Sequence, residues 1–194
     1  MRDCCGRLCA VGAKRQRWHF AAVANADLKR KIREGAEVKE REFYAHRALA
    51  DWLEAPAAPG TGASKPFLET APWLIANFSQ KNSDGQNGEK LKNCYPIEST
   101  FIATGILISA LHQMELVTFA HASRPMKSLN DILGRPENVK PFLLEVAGYP
   151  AEDARLPDIH RKPLSGIASF LTDWQRTPLH SAKFAVVDFY RSRR

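Results

Sequence analysis

Glu40 and Tyr44 lie four residues apart, so a helix carrying them sets a carboxylate and a phenol on one face. On residue type alone the pair says little. The stretch around it, LKRKIREGAEVKEREFYAHR, is dense in Glu, Lys and Arg and reads as a solvated charged surface. His19 and His121 are the side chains best suited to proton transfer, but no Ser-His-Asp set or metal-ligand spacing takes in either, and both read as structural. Cys4, Cys5, Cys9 and Cys94 lack C-x-x-C spacing, which excludes a zinc knuckle or thioredoxin motif and leaves reduced thiols of a cytoplasmic protein. No G-x-G-x-x-G follows a strand and no G-x-x-x-x-G-K-[ST] occurs, so neither a Rossmann nor a P-loop site is expected. The net charge of +7 suits a bound phosphate, an anionic substrate or nucleic acid. The basic residues are scattered, without zinc-finger, RNA-binding or helix-turn-helix patterns, so no nucleic-acid partner is expected.

The elements that would position such groups centre on Tyr95–Pro136. Glu98–Gln113 is apolar or small almost throughout, and a helix apolar all round belongs in a core or an interface. It falls short of the about 20 apolar residues that cross a bilayer, so no membrane span is expected. Leu116–Phe119 reads as a short buried strand, followed by a bend through Ala120–Pro125. Ser128 is expected to cap the next helix, with Asp131 in the capping-box position, and Gly134 to end it.

Upstream, Met1–Arg17 reads as part of a helix followed by a basic turn, Trp18–Val23 as a strand, and Asp27–Arg47 as a polar, solvated surface helix that buries little. Glu54–Lys65 is rich in Pro, Gly and Ala and reads as a mobile loop or lid. Pro66–Ala71 leads into a buried strand, Trp73–Phe78, and Lys81–Lys90 is a polar connection. Pro141–Tyr149 is a further strand, and Asp153–Leu164 an irregular basic segment. No long apolar run opens the chain, so no secretory signal is read there. A chain of 194 residues suffices for one domain. Strands alternating with helices and long loops predict an α/β or α+β layered fold, with one sheet covered by helices.

Several pieces in order resemble the FMN-dependent nitroreductase family and, within it, the iodotyrosine deiodinase branch. They are Gly12-Ala13 before Trp18-His19-Phe20, the helix ending EREFYAHR, FLETAPWLI, ESTFIATG, PMKSLNDILGRP, VAGYPAEDA and PDIHRKPL. The resemblance covers Val11–Leu171, which implies a nitroreductase-like flavin domain over residues 1–171, with a lid at 54–65 and a divergent tail at 172–194. It also implies a homodimer with FMN at the subunit interface, the apolar helix near the two-fold axis, and a reduced nicotinamide, NAD(P)H, as electron source. The substrate implied is a small phenol such as a halotyrosine, or a nitroaromatic.

The resemblance assigns roles residue by residue. Glu40, Tyr44 and Lys65 match the three lid residues that grip the amino-acid end of the substrate, an anion for its ammonium and a cation for its carboxylate. Ala13 matches the backbone N–H directed to the phenolate. Val11, Gly12, Ala120, His121 and Ala122 fall at flavin-contacting positions, and Arg161 matches the phosphate-binding base, with Lys162 beside it.

The chain departs from the pattern in three places. It starts after the family segment bearing an Arg-Arg-Ser-x-Arg run that clasps the phosphate; Lys14, Arg15 and Arg17 are expected to compensate in part. Val11 replaces a serine, which loses one flavin hydrogen bond. Ala122 replaces a threonine that donates to flavin N5 and favours one-electron steps. Three readings follow: reductive dehalogenation of a halotyrosine-like phenol, general nitro or quinone reduction on the same fold, or a truncated, flavin-poor scaffold.

Overall fold

The computed structural model describes residues 16–46, 63–84, 89–122, 126–154 and 160–169. The expectations for the first turn, for most of the 54–65 loop and for the tail lie outside these residues. The chain divides into two units, Met1–Glu152 and Asp153–Arg194, and each is described by itself.

The first unit is built on four antiparallel strands in the order β1-β2-β6-β5, where β1 is Trp18–Val23, β2 is Trp73–Gln80, β5 is Val117–His121 and β6 is Val139–Gly148. β2 is central, and Leu74 through Ser79 are all buried, as a strand covered on both faces requires. Its side chains alternate. Leu74, Ala76 and Phe78 join Val23, Leu144 and Val146 on one face, against Ile32, Leu68 and Leu129 from the helices. Ile75 and Ala147 join Leu111 on the other. Burying each large side chain contributes about 1.5–3 kcal/mol. Pro141 lies in β6 without breaking it, because the β2–β6 register shifts between Asn77 and Phe78, and β5 pairs only from Leu144 onward. At Gly148 a Cβ would come within 2.9 Å of the Pro72 ring, so the strand end accepts no side chain there.

The first face is covered by α1 (Ala26–His46), the four-residue α2 (Phe67–Thr70) and α4 (Ser128–Ile132). The second is covered by α3 (Pro96–Gln113), which Pro96 starts at the position a helix tolerates it. Among the described residues no helix is long and apolar enough to cross a membrane. The second unit's described part contains a single 3-10 turn, Leu164–Gly166.

Five expectations are corrected. Pro66–Ala71 contains α2. The polar connection contains a hairpin, β3 (Asn82–Asp84) with β4 (Lys90–Lys92), tied down where Ser83 Oγ donates to Asn93 Oδ1 at 2.8 Å. Ser128 lies inside α4, whose N-cap is Lys127 with no side-chain cap bond, so the capping box does not form; Gly134, at φ +58°, does end the turn. β5 is an edge strand rather than a buried one, with Val117 47% and Phe119 40% exposed. Finally, α1 is not simply solvated, since Lys29 and Ile32 are buried.

Candidate active site

Four side chains on one face of α1, at positions 29, 33, 37 and 40, all reach the segment 65–71. Lys29 Nζ donates to the Ala71 carbonyl at 2.8 Å. Arg33 Nε donates to Glu69 Oε2 at 2.6 Å, and its Nη1 to Glu37 Oε2 at 2.9 Å. Glu37 Oε1 accepts the backbone N–H of Lys65 at 2.8 Å. Glu40 Oε2 lies 3.8 Å from Lys65 Nζ. A helix read as charged surface therefore carries a polar seam that packs.

Lys65 is the unusual member. Its side chain is only 2% exposed, and that of Glu40 15%. Burial lowers the Lys65 pKa, opposed by Glu40 and then Glu37. Lysine is almost never buried unless paired, so the site has concentrated opposite charge where solvent is thin. Such a pair suits the two ends of a zwitterion. Tyr44 follows one turn beyond Glu40 in α1, and its side chain lies outside the described ones.

The end of β5 is the second part. Ala120 is exposed and pairs with Glu145, and Ala122 is exposed just beyond the strand. His121 between them turns inward to 6% exposure, with its ring 5.8 Å from that of Phe67. It lines a small pocket of about 20 Å³ together with Lys39, Met126 and Ser128. Burial and then the Lys65 charge push its pKa down to about 4. His19 faces Arg135 instead, 2.8 Å from Nε2 to Nη1, and burial followed by that guanidinium lowers its pKa.

Of the remaining positions, Val11, Gly12, Ala13, Lys14 and Arg15 lie outside the described residues. Arg17 donates through Nη1 to Ser83 Oγ at 2.8 Å, which ties it to the hairpin. Arg161 and Lys162 are exposed in the second unit. In the first unit, the exposed positions Ala120 and Ala122 suit the edge of a planar ring such as a flavin. Taken by themselves, the exposed Arg161 and Lys162 of the second unit carry the charge that a phosphate needs. The structure thus brings Glu40 and Lys65 together and turns the His121 side chain inward against Phe67, where it feels the Lys65 charge. Sequence reasoning missed Arg33, Glu37 and Glu69. The Arg33–Glu37 spacing of four was visible, but their reach to α2 is long-range. Glu145 was missed as well. It is 0% exposed, and its carboxylate oxygens have no hydrogen-bond partner among the described residues.

No family model matches the chain. It is 45% identical over 156 residues to iodotyrosine deiodinase of Haliscomenobacter hydrossis, covering 80% of this chain and 70% of that protein. It is 37% identical over 159 residues to iodotyrosine deiodinase of Nematostella vectensis and to iodotyrosine deiodinase 1 of Homo sapiens. These matches cover 80% of this chain but 60% and 54% of the two animal proteins, so the chain spans little more than half of their length. A crystal structure of oxidized iodotyrosine deiodinase bound to FMN and 3-iodo-L-tyrosine superposes with a TM-score of 0.70 at 25% identity, covering 87% of this chain and 83% of that one. A nitroreductase with bound FMN from Bacteroides fragilis superposes with a TM-score of 0.60 at 18% identity, covering 87% and 83%, and shares the fold.

Proposed function

The chain belongs to the iodotyrosine deiodinase family, and from that membership we propose that it is an FMN-dependent oxidoreductase acting on halotyrosine-like phenols. The observation that carries the reading is the buried, opposed pair Glu40 and Lys65, 3.8 Å apart. Glu40 receives the substrate ammonium, Lys65 its carboxylate, and Tyr44 adds a hydroxyl from the same helix. Ala13 orients the phenolate through its backbone N–H. Gly12 and Val11, with Ala120, Ala122 and the backbone of His121, border the flavin, and Arg161 holds its phosphate. Reduced FMN held there would supply two electrons, which with one proton replace the carbon–halogen bond by carbon–hydrogen and release halide. NAD(P)H, or a reductase using it, returns the electrons.

The protein acts as a cytoplasmic homodimer joined through α3. That helix turns Ser99, Thr100, Ala103 and Thr104 toward its own subunit, while Ile97, Phe101, Ile102 and Ile106 are exposed. A second reading, nitro or quinone reduction on the same fold, is favoured by one observation. Ala122 carries only a methyl group where the family pattern has a hydroxyl donor to flavin N5.

Titration of the FMN-loaded protein with 3-iodotyrosine, followed by quenching of flavin fluorescence, tests the first reading. Glu40→Gln and Lys65→Ala are each expected to weaken binding about tenfold or more, as loss of a charge-assisted contact implies. Unchanged affinity in both variants would leave nitro or quinone reduction as the function.

A further inference from the structure

Glu37 lies one turn before Glu40, and the sequence pattern gave it no role. Its carboxylate is divided between two partners. Oε1 takes the Lys65 backbone N–H at 2.8 Å, and Oε2 takes Arg33 Nη1 at 2.9 Å. Arg33 continues to Glu69 Oε2 at 2.6 Å, so the network joins α1 both to the Lys65 amide and to α2.

Two facts show what this arrangement does. First, the Lys65–Glu40 separation of 3.8 Å exceeds a hydrogen bond, so that pair does not by itself fix where the lysine sits. Second, the amide held by Glu37 belongs to Lys65 itself, only its own side-chain torsions away from Nζ. A long, flexible side chain loses much rotamer freedom when it is held over a ligand. Anchoring its backbone removes part of that cost before the substrate arrives. The Lys65 amide, with Arg33 and Arg41 against the opposing effect of burial, keeps the Glu37 carboxyl below the usual range, so it accepts as an anion near neutral pH. Arg33 occupies the second oxygen and stops the carboxylate from turning away.

We propose that Glu37, braced by Arg33, is a positioning residue that pins the Lys65 backbone, so that the Lys65 ammonium is preset for the carboxylate of an amino-acid substrate. The network thereby sets the preference for a halotyrosine over a halophenol that lacks the amino-acid end. This rests on the reading of Glu40 and Lys65 as the substrate clamp.

The test uses the full chain loaded with FMN and two ligands, 3-iodotyrosine and 2-iodophenol. Glu37→Ala is expected to raise Kd and KM for 3-iodotyrosine about tenfold with kcat nearly unchanged. Affinity for 2-iodophenol and for FMN stays at the wild-type value. Glu37→Gln, which keeps an acceptor for the Lys65 amide, recovers most of the loss. Arg33→Ala, which removes the brace and the Glu69 contact but leaves the Glu37 carboxylate, gives a smaller rise of the same kind and serves if Glu37→Ala does not fold. Equal losses for both ligands and for FMN would make Glu37 a general structural residue and overturn the proposal. Lys65→Ala separates the two levels. If it weakens 3-iodotyrosine while the Glu37 and Arg33 variants do not, the positioning role alone falls; if it too has no effect, the clamp falls with it.

Discussion

At the scale of single residues, the site is defined by how little water reaches groups that prefer it. His121 shows this most directly. Its ring is pressed against Phe67, and Lys65 and Lys39 are the cations on that side. Its pKa falls from 6.5 to about 4. Between these values the unfolded chain binds a proton that the folded chain refuses, so stability is full above pH 6.5 and is lost as the pH falls toward 4. A shift of this size corresponds to at most about 3.5 kcal/mol. His121→Asn should remove this slope, which urea denaturation of the two proteins at pH 7 and pH 4.5 would measure. If the stability difference between them is the same at both pH values, His121 does not titrate as described.

At the scale of elements, the contact between the sheet and α3 is more polar than a helix of that composition suggests. The helix lays Thr104 on Asn77, with Nδ2 to Oγ1 at 3.4 Å, while Asn77 Oδ1, Ser79 Oγ and both Glu145 oxygens have no hydrogen-bond partner among the described residues. Glu145 pairs across the sheet with uncharged Ile75 and Ala120. Burial alone raises its pKa above the ordinary 4.5. The folded protein therefore holds a proton that the unfolded chain releases. Stability contributed by the neutral acid is full below pH 4.5 and falls as the pH rises through the folded value. Glu145→Gln mimics the protonated form. It should match wild type at low pH and exceed it at pH 8 by about 1–3 kcal/mol, the usual cost of an unsatisfied buried group. Thermal or urea denaturation at pH 4.5 and pH 8 would show this, and a variant less stable than wild type at pH 8 would refute it.

At the scale of the whole molecule, the outer face of α3 is the clearest unfinished surface. Phe101 is 60% exposed although its ring packs edge-on to Phe142 at 4.3 Å, and Ile97 and Ile102 are each 49% exposed. Exposed apolar residues grouped on one helix mark an interaction face. Ile102→Glu puts a charge on this half-exposed position, and it should weaken the proposed homodimer about a hundredfold or more. Sedimentation across a range of concentrations would detect the change. A wild-type protein that stays monomeric at high concentration would remove the dimer from this account.

Read along the chain, the residues settled what depends on near neighbours. β1, α1, the core of β2, α3 and most of β6 follow from apolar runs and from helical or alternating spacing, and they form within a few residues of where the pattern puts them. The order of family motifs carried the membership that overall identity then supported. Short elements escaped, because α2 and the β3–β4 strands have too few residues to show a period. The tertiary structure decided the rest, since each remaining feature joins residues far apart. Which face of α3 meets the sheet depends on Asn77, Ile75 and Ala147, which lie in strands distant in sequence. That β5 lies at an edge depends on strand order. That Lys65 is buried over α1, with its amide on Glu37, depends on segments 28 residues apart being folded together. Local spacing encodes the shape of an element, whereas the partner of a charge is chosen only when the elements pack.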